Sequence, residues 1–379
     1  MTTHFSELSD LSKPLIGTPL PSDLEPLSVL GTGSFGQIYL ARDRENIFHA
    51  VKRLAKSGDP GQDSLLHQEA LLHSMLPPHP NILHLRDVVD ADDAFYLILE
   101  LCTGGDVYEM IMEQGRLDSE VAKECFLQVV DAVEHCHSRG IYHRDIKPEN
   151  ILLLRPVPSN RSPPHLKLAD FGLATPDRLS SEYGCGSLPY LAPEQHLDAS
   201  DHTGPYHSAK GDVWALGILL IALLTGKNPW REASPKRDPV FGAYQKDPQV
   251  LRRMFPMLSR ECLGIVWALL DIRPEQRPSI SDVRAWVESA GPLVIHDRLD
   301  VDEGYGPSFA SPANMLLSAD AFAAGAACFD SGVAFSWSDD VNDGMHFSRP
   351  VPLEDDVDCE KDGNEDWFNV EEDIFPLEF

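Results

Sequence analysis

The stretch His143-Arg144-Asp145-Ile146-Lys147-Pro148-Glu149-Asn150, followed further on by Asp170-Phe171-Gly172, decides how this chain is read. It gathers a carboxylate that can act as a base, an ammonium, and two oxygen donors suited to a hard cation. Phosphoryl transfer calls for that set: a group to orient an attacking hydroxyl, a cation for the phosphate oxygens, and ligands for magnesium.

Working outward, Gly31-Thr32-Gly33-Ser34-Phe35-Gly36 is a G-x-G-x-x-G run. Alone it fits an ordinary turn, a dinucleotide-binding turn or a glycine hairpin over phosphates. The dinucleotide reading requires a helix next and an acid ~20 residues on. Here Gln37 to Ala41 is strand-like and Lys52 stands where the acid should be. Missing side chains would let backbone N–H groups approach phosphate oxygens. Lys52 follows the apolar pair Ala50-Val51; it reads either as a solvent-facing strand lysine or as a cation held on the phosphates. Glu69 is its candidate partner, because Leu65, Glu69, Leu72 and Leu76 recur at helical spacing, and a carboxylate on such a stripe is costly unless paired.

Secondary-structure patterns change along the chain. Ile38–Ala41, His49–Lys52 and Phe95–Leu99 are strand-like, interrupted by a helix near 64–76. Helical patterns then dominate: one N-capped by Asp118 and running to Gly140, one from Asp212 to Leu224 that is apolar all round, one from Leu258 to Leu270. Arg155 to His165 holds four prolines and reads as a hairpin insert. The architecture expected is α+β, a β-rich small lobe followed by a helical large lobe.

Gly31–Gly36, Lys52, Glu69, His143–Asn150, Asp170–Gly172, Ala192-Pro193-Glu194, Asp212 and Arg277 stand in the order and approximate spacing of the eukaryotic-type protein kinases, which the chain resembles from about Leu27 to Ala290. The resemblance implies a two-lobed kinase domain over 23–290, with an N-lobe at 23–102, a C-lobe at 103–290 and an ATP cleft between them. A lead-in at 1–22 and an acidic tail at 291–379 flank it. It implies Asp145 as the base, Lys147 on the γ-phosphate, Lys52 on the α- and β-phosphates with Glu69 behind it, and Asn150 and Asp170 as Mg2+ ligands. ATP would meet Leu30, Gly31, Gly33, Ser34, Gly36, Ile38, Ala50 and Lys52, the gatekeeper Leu99, hinge backbone at Glu100 and Cys102, and Asp106 at the ribose. Asp106 also suits a helix N-cap. His143 is expected to support the loop.

Lys147 and Ser187, ahead of Pro189-Tyr190-Leu191-Ala192-Pro193-Glu194, resemble the serine/threonine kinases. Arg144 implies a phosphate acceptor among Thr175, Ser180, Ser181 and Tyr183, and hence activation by phosphorylation. Glu194 with Arg277 implies a buried ion pair, and Asp212 a clamp on catalytic-loop amides. The segment Asn228-Pro229-Trp230, Asp238 to Tyr244, Asp247-Pro248 and Pro256, with Gly184-Cys185-Gly186-Ser187, resembles fungal nutrient-responsive kinases that restrain sexual development and meiosis. Asp106 and Glu149 would favour basic residues before the acceptor. A scaffold that had lost catalysis should lack Lys52, Asp145, Asn150 or Asp170; all four are present.

The chain has 379 residues, 42% hydrophobic and 24% charged, with a net charge of −29. Residues 291–379 hold 21 Asp/Glu against three Lys/Arg, so −18 of that charge sits in the tail. No basic patch suits nucleic acid, and an acidic surface disfavours anionic membranes. The apolar run Val213–Leu224 is short for a bilayer span. Seven scattered cysteines read as reduced thiols, and Lys236-Arg237 is a weak import signal, so a cytoplasmic or nuclear location is expected. His135, His137, Cys125 and Cys136 share a helix without completing a metal site. The tail's composition favours disorder, with Trp367, Phe368, Phe375 and Phe379 forming a docking peptide for a partner or for the small lobe.

Overall fold

A computed structural model describes residues 20–33, 36–157, 163–196, 204–295 and 375–376. Strands β1 (Glu25–Gly33), β2 (Gly36–Arg42) and β3 (Phe48–Ala55), helix α1 (Pro60–Ser74), and strands β4 (Leu85–Asp90) and β5 (Ala94–Glu100) make the small lobe. Its sheet is antiparallel, ordered β1-β2-β3-β5-β4. Alternation sorts the side chains onto two faces. Tyr39, Ala41, Val51, Tyr96 and Ile98 pack with Leu20 and Leu24. Leu54, Phe95, Leu97 and Leu99 pack with Ala70 of α1 and with Ala169, which comes from the large lobe.

The β1–β2 ladder runs out to Gly33 opposite Gly36, so the glycine run is a hairpin whose tip, Ser34 and Phe35, lies outside the described residues. Gly36 has φ +144°, and a Cβ there would lie 1.9 Å from the Arg53 carbonyl oxygen. Only glycine lets the hairpin lie this close to β3.

The large lobe contains α2 (Val107–Gln114), α3 (Ser119–His137), β6 (Ile151–Leu153), β7 (Leu166–Leu168), β8 (Leu179–Ser180), β9 (Tyr206–His207), α4 (Ser208–Thr225), β10 (Lys227–Asn228), α5 (Pro239–Lys246), α6 (Val250–Met254), α7 (Arg260–Leu269) and α8 (Ile280–Ser289). Every residue of α4 from Gly211 to Leu224 is buried. Its 18 apolar-rich residues reach the length of a membrane span, longer than Val213–Leu224 suggested, but the helix is the core around which α3 and α7 pack. Asn228-Pro229-Trp230 and the α5 segment form a buried aromatic cluster: Trp230 lies 5.9 Å from Trp214 and 5.1 Å from both Phe241 and Tyr244.

Several expected boundaries shift. Helix α1 begins at Pro60 and ends at Ser74, and Leu65 does not share the Glu69 face: it is 61% exposed, whereas Leu72 is 3% exposed. The buried face follows Glu69, Ala70, Leu72 and His73. Asp118 caps α3 as expected, accepting from the Glu120 N–H, but the helix ends at His137 and a turn carries the chain to Gly140. The proline-rich insert does join the paired strands β6 and β7, with 158–162 outside the described residues. Of the tail beyond Ile295, only β11 (Phe375–Pro376) is described. It pairs with β10 of the large lobe, not with the small lobe.

Arg277 ties the large lobe together. Its guanidinium donates two bonds to the Glu194 carboxylate, 2.6 and 2.8 Å, and others to the carbonyls of Asp271 and Lys210, over the Trp214 ring. Its side chain is fully buried and that of Glu194 largely so. Glu194→Ala strands a buried cation and is expected to lower stability by about 3 kcal/mol, read as a shift in the urea unfolding midpoint; Glu194→Gln, which keeps one acceptor, falls between.

Candidate active site

Register places the first group. Lys52 on β3 stands opposite Ile38 on β2 and Leu97 on β5, in the middle strand of the five. Its Nζ donates to Glu69 Oε1 at 2.6 Å and to Asp170 Oδ1 at 2.9 Å. The ammonium thus joins α1 to the large lobe. Burial pulls the Asp170 carboxyl upward, but Lys52 outweighs it and holds the group at about 2. At Glu69 burial wins over the same ammonium and the carboxyl is raised. Lys52 itself is driven up: burial opposes its charge, and the two carboxylates more than compensate.

The catalytic loop is fixed from below by Asp212. Its carboxylate accepts from the N–H groups of His143 (3.0 Å) and Arg144 (2.8 Å) and from His137 Nε2 (2.8 Å). Those two bonds hold Arg144 at φ +66°, a left-handed conformation unfavourable for a side chain of this size. His143 is wholly buried, bonded through Nε2 to the Ala169 carbonyl and edge-on to Phe171 at 5.0 Å. It supports the backbone and faces no reacting group.

Asp145, 8% exposed, receives the Ser187 N–H (3.0 Å) and hydroxyl (2.9 Å) on Oδ1, and Asn150 Nδ2 (2.9 Å) on Oδ2. Lys147 Nζ reaches Ser187 Oγ at 2.7 Å and Asp145 Oδ2 at 3.1 Å. These bonds set the carboxylate at the junction of the catalytic loop and the segment that ends in Ala192-Pro193-Glu194. Gly186, at φ +120°, lets that segment pass the Arg144 carbonyl, which a Cβ would approach to 2.6 Å.

The hinge lies where β5 leaves the small lobe. Leu99 is buried at its end. Glu100 is braced rather than displayed: its N–H donates to the His84 carbonyl and its carboxylate accepts the His84 N–H (2.7 Å) and Lys167 Nζ (2.8 Å). The amides of Thr103 and Gly104 turn back to the carbonyls of Leu154 and Leu153, leaving Cys102 between the two tied stretches. Ile38 and Ala50 are half-buried on the sheet, and Leu30 on β1 is 50% exposed. Gly31 and Gly33 lie on β1 and Gly36 on β2; Ser34 lies outside the described residues. Asp106 is the N-cap of α2, in a capping box with Glu109. Burial raises its carboxyl to about 6.

Arg144 turns away from Asp145 into the segment after Gly172. Nε donates to the Leu173 carbonyl at 2.6 Å, and one terminal nitrogen to Ser180 Oγ at 3.3 Å and Glu182 Oε2 at 2.5 Å. Sequence reasoning missed Glu182, and also Lys167 behind the hinge and His137 under Asp212. Each partner lies tens of residues away across irregular chain. For His137 a hint existed in the His135/His137 pair, but nothing in its spacing pointed to Asp212, to which Nε2 is bonded.

Such a donor set suits a metal that arrives with phosphate. Asn150 Nδ2 is taken up by the Asp145 carbonyl (2.8 Å) and carboxylate, so Oδ1 is its remaining donor atom. Asp170 is anionic. One carboxylate and one amide oxygen are too few for an all-protein cage and fit a divalent cation completed by phosphate oxygens and water.

The protein kinase domain family model matches residues 24–286. The chain is 36% identical over 298 residues to the Schizosaccharomyces pombe negative regulator of sexual conjugation and meiosis, covering 73% of this chain and 62% of that one. It is 36% identical over 258 residues to the serine/threonine-protein kinase ksp1 of the same yeast (65% and 53%), and 30% identical over 272 residues to CBL-interacting protein kinase 32 of Oryza sativa (67% and 56%). The chain therefore spans between about half and 62% of these relatives' lengths. Two lobes joined at Lys52, a clamped catalytic loop and this match over most of its length place the chain in the protein kinase family.

Proposed function

We propose that this chain is a serine/threonine protein kinase that transfers the terminal phosphate of ATP to hydroxyls in basic protein segments. The arrangement of Asp145, Lys147 and Ser187 carries the reading. An acceptor hydroxyl hydrogen-bonded to Asp145 is oriented for in-line attack; its oxygen forms the new bond to phosphorus as the bond to ADP breaks, and its proton passes to the carboxylate. Lys147 neutralises the moving phosphoryl group, and Lys52, steadied by Glu69, holds the α- and β-phosphates. Magnesium, held by Asn150, Asp170 and the phosphates, would supply charge neutralisation. The backbone at Glu100 and Cys102 meets adenine and Asp106 the ribose. The Ser187 bridge supports a serine or threonine acceptor. The S. pombe relative's name, a negative regulator of sexual conjugation and meiosis, supports a role in developmental signalling; a nutrient input and a cytoplasmic or nuclear location belong to the same proposal. The β10–β11 pairing supports docking of the tail's end on its own large lobe, beside Asn228. A catalytically dead scaffold is disfavoured because Lys52 contacts both Glu69 and Asp170 and Asp145 is fully engaged.

Glu149 favours basic substrates. Its Oε2 is buried and has no hydrogen-bond partner among the described residues. Burial first, then Asp145 and Asp106 nearby, raise its carboxyl to about 7 against the pull of Lys147. An arginine delivered by the substrate would supply the missing donor.

Both raised carboxyls are neutral below their pKa and anionic above it. The KM for an arginine-containing peptide, relative to its citrulline counterpart, should therefore fall as pH rises from 6 to 8. Glu149→Gln should remove most of that dependence near pH 7 and raise the arginine-peptide KM roughly tenfold. A pH-independent ratio in the unaltered enzyme would exclude this specificity. Separately, Glu69→Gln removes one of the two carboxylates that steady Lys52; kcat should drop by roughly tenfold or more with the melting temperature little changed, checked by steady-state kinetics beside calorimetry.

A further inference from the structure

The segment between Gly172 and Ser187 is held by a carboxylate of the chain itself. Arg144 is buried, its side chain 5% exposed, and Glu182 Oε2 lies 2.5 Å from it. Among the described residues, the other groups bonded to the guanidinium are neutral: the Leu173 carbonyl, Ser180 Oγ and the Tyr206 hydroxyl. Glu182 is built into place from three sides. Its N–H donates to Ser180 Oγ at 3.1 Å, its carbonyl accepts the Tyr206 hydroxyl at 3.0 Å, and β8 is pinned to β9 just before it.

The hydroxyls that a modifying kinase would need are largely spent. Thr175 is 2% exposed, with its backbone paired to Tyr142 and its Oγ1 accepting from Asp177; Ser180 is 3% exposed and bonded to both Arg144 and Glu182. A phosphate on either would have to displace bonds already made. Ser181 is exposed but lies beside Glu182, whose charge would repel a second anion.

We propose that Glu182 is a positioning residue that takes the place of an activating phosphate: its carboxylate on Arg144 keeps the substrate segment ordered, and the enzyme works without phosphorylation between residues 175 and 187. This rests on the kinase reading and replaces the activation by phosphorylation that Arg144 alone suggested. A carboxylate brings one negative charge where a phosphate brings nearly two. The Glu182 side chain is 57% exposed, but the guanidinium it meets is buried, and the bond between them is charge-assisted, about twice as strong as a neutral one. Through Arg144 the clasp reaches Asp145, the next residue, while the nucleotide side is held independently by Lys52 and Glu69.

The test uses the full chain made in bacteria, treated with phosphatase and shown by intact mass to carry no phosphate. Its turnover on an arginine-containing serine peptide should stay within about twofold of the same enzyme preincubated with Mg2+ and ATP. Glu182→Gln, the same shape without charge, should lose roughly tenfold or more in kcat. Its Kd for a fluorescent ATP analogue should not change, and backbone hydrogen exchange over 175–187 should speed up. Glu182→Asp should keep most of the activity. The proposal falls if dephosphorylation silences the unaltered enzyme and phosphate restores it, or if Glu182→Gln matches wild type. Should that variant not fold, the phosphatase comparison decides alone. A chain that transfers no phosphate in any state fails as a kinase altogether; one active only when phosphorylated fails this proposal alone.

Discussion

One ammonium stands between two carboxylates that come from different parts of the chain, and the site is organised about it. Lys52 belongs to the central strand of the small lobe, Glu69 to its helix, and Asp170 to the large lobe. With Lys52 8% and Glu69 4% exposed, none of these charges could be buried alone. The geometry therefore reports that helix, sheet and large lobe are in register together. The group is also unbalanced, with two carboxylates against one cation. Its resolution is asymmetric: Glu69 is pushed toward protonation and Asp170 away from it. Asp170 is thus the anion on offer at neutral pH, which suits a ligand for a second cation.

The opposite wall is held by backbone clamps more than by side-chain charge. Asp212, one turn into the buried helix α4, gathers two consecutive amides of the catalytic loop. Arg144 and Asp170 both occupy positive φ, at 66° and 62°. Non-glycine residues stay in that region only where surrounding bonds over-determine them. Here the Asp212 carboxylate determines one, and Lys52 with the Gly172 N–H the other. The stable element of the fold, a helix wrapped on all sides, thereby positions the least regular one.

The parts of this design that were legible in the sequence are those in which residue type and local spacing determine the chemistry. The glycine hairpin, the His143–Asn150 loop and Asp170–Gly172 are of that kind, as are the apolar or alternating runs that make β2, β3 and β5. Where periodicity was ambiguous the reading slipped. Leu65 and Leu66 are adjacent, and i, i+4 counting chose the exposed one, because spacing alone does not tell which stripe of a short helix meets the sheet. The start of α4 was hidden by polar Ser208 and Lys210, whose partners are the carbonyls of Asp177 and of Arg277 and Pro278. Contacts such as Arg144 with Glu182, Glu100 with Lys167 and β10 with β11 carry no local signature at all. They follow from the path of loops, which tertiary packing sets.

The central claim is that Asp145 and Asp170 face one cleft and serve one transfer. It is tested most directly by incubating the purified chain with γ-labelled ATP, magnesium and a peptide offering serine, threonine and tyrosine, beside an Asp145→Asn variant that binds nucleotide equally well. Label is expected on serine or threonine only, lost by a factor of roughly 10³ in the variant and dependent on the divalent ion. Equal labelling by both proteins, or nucleotide binding with no transfer by either, would contradict it.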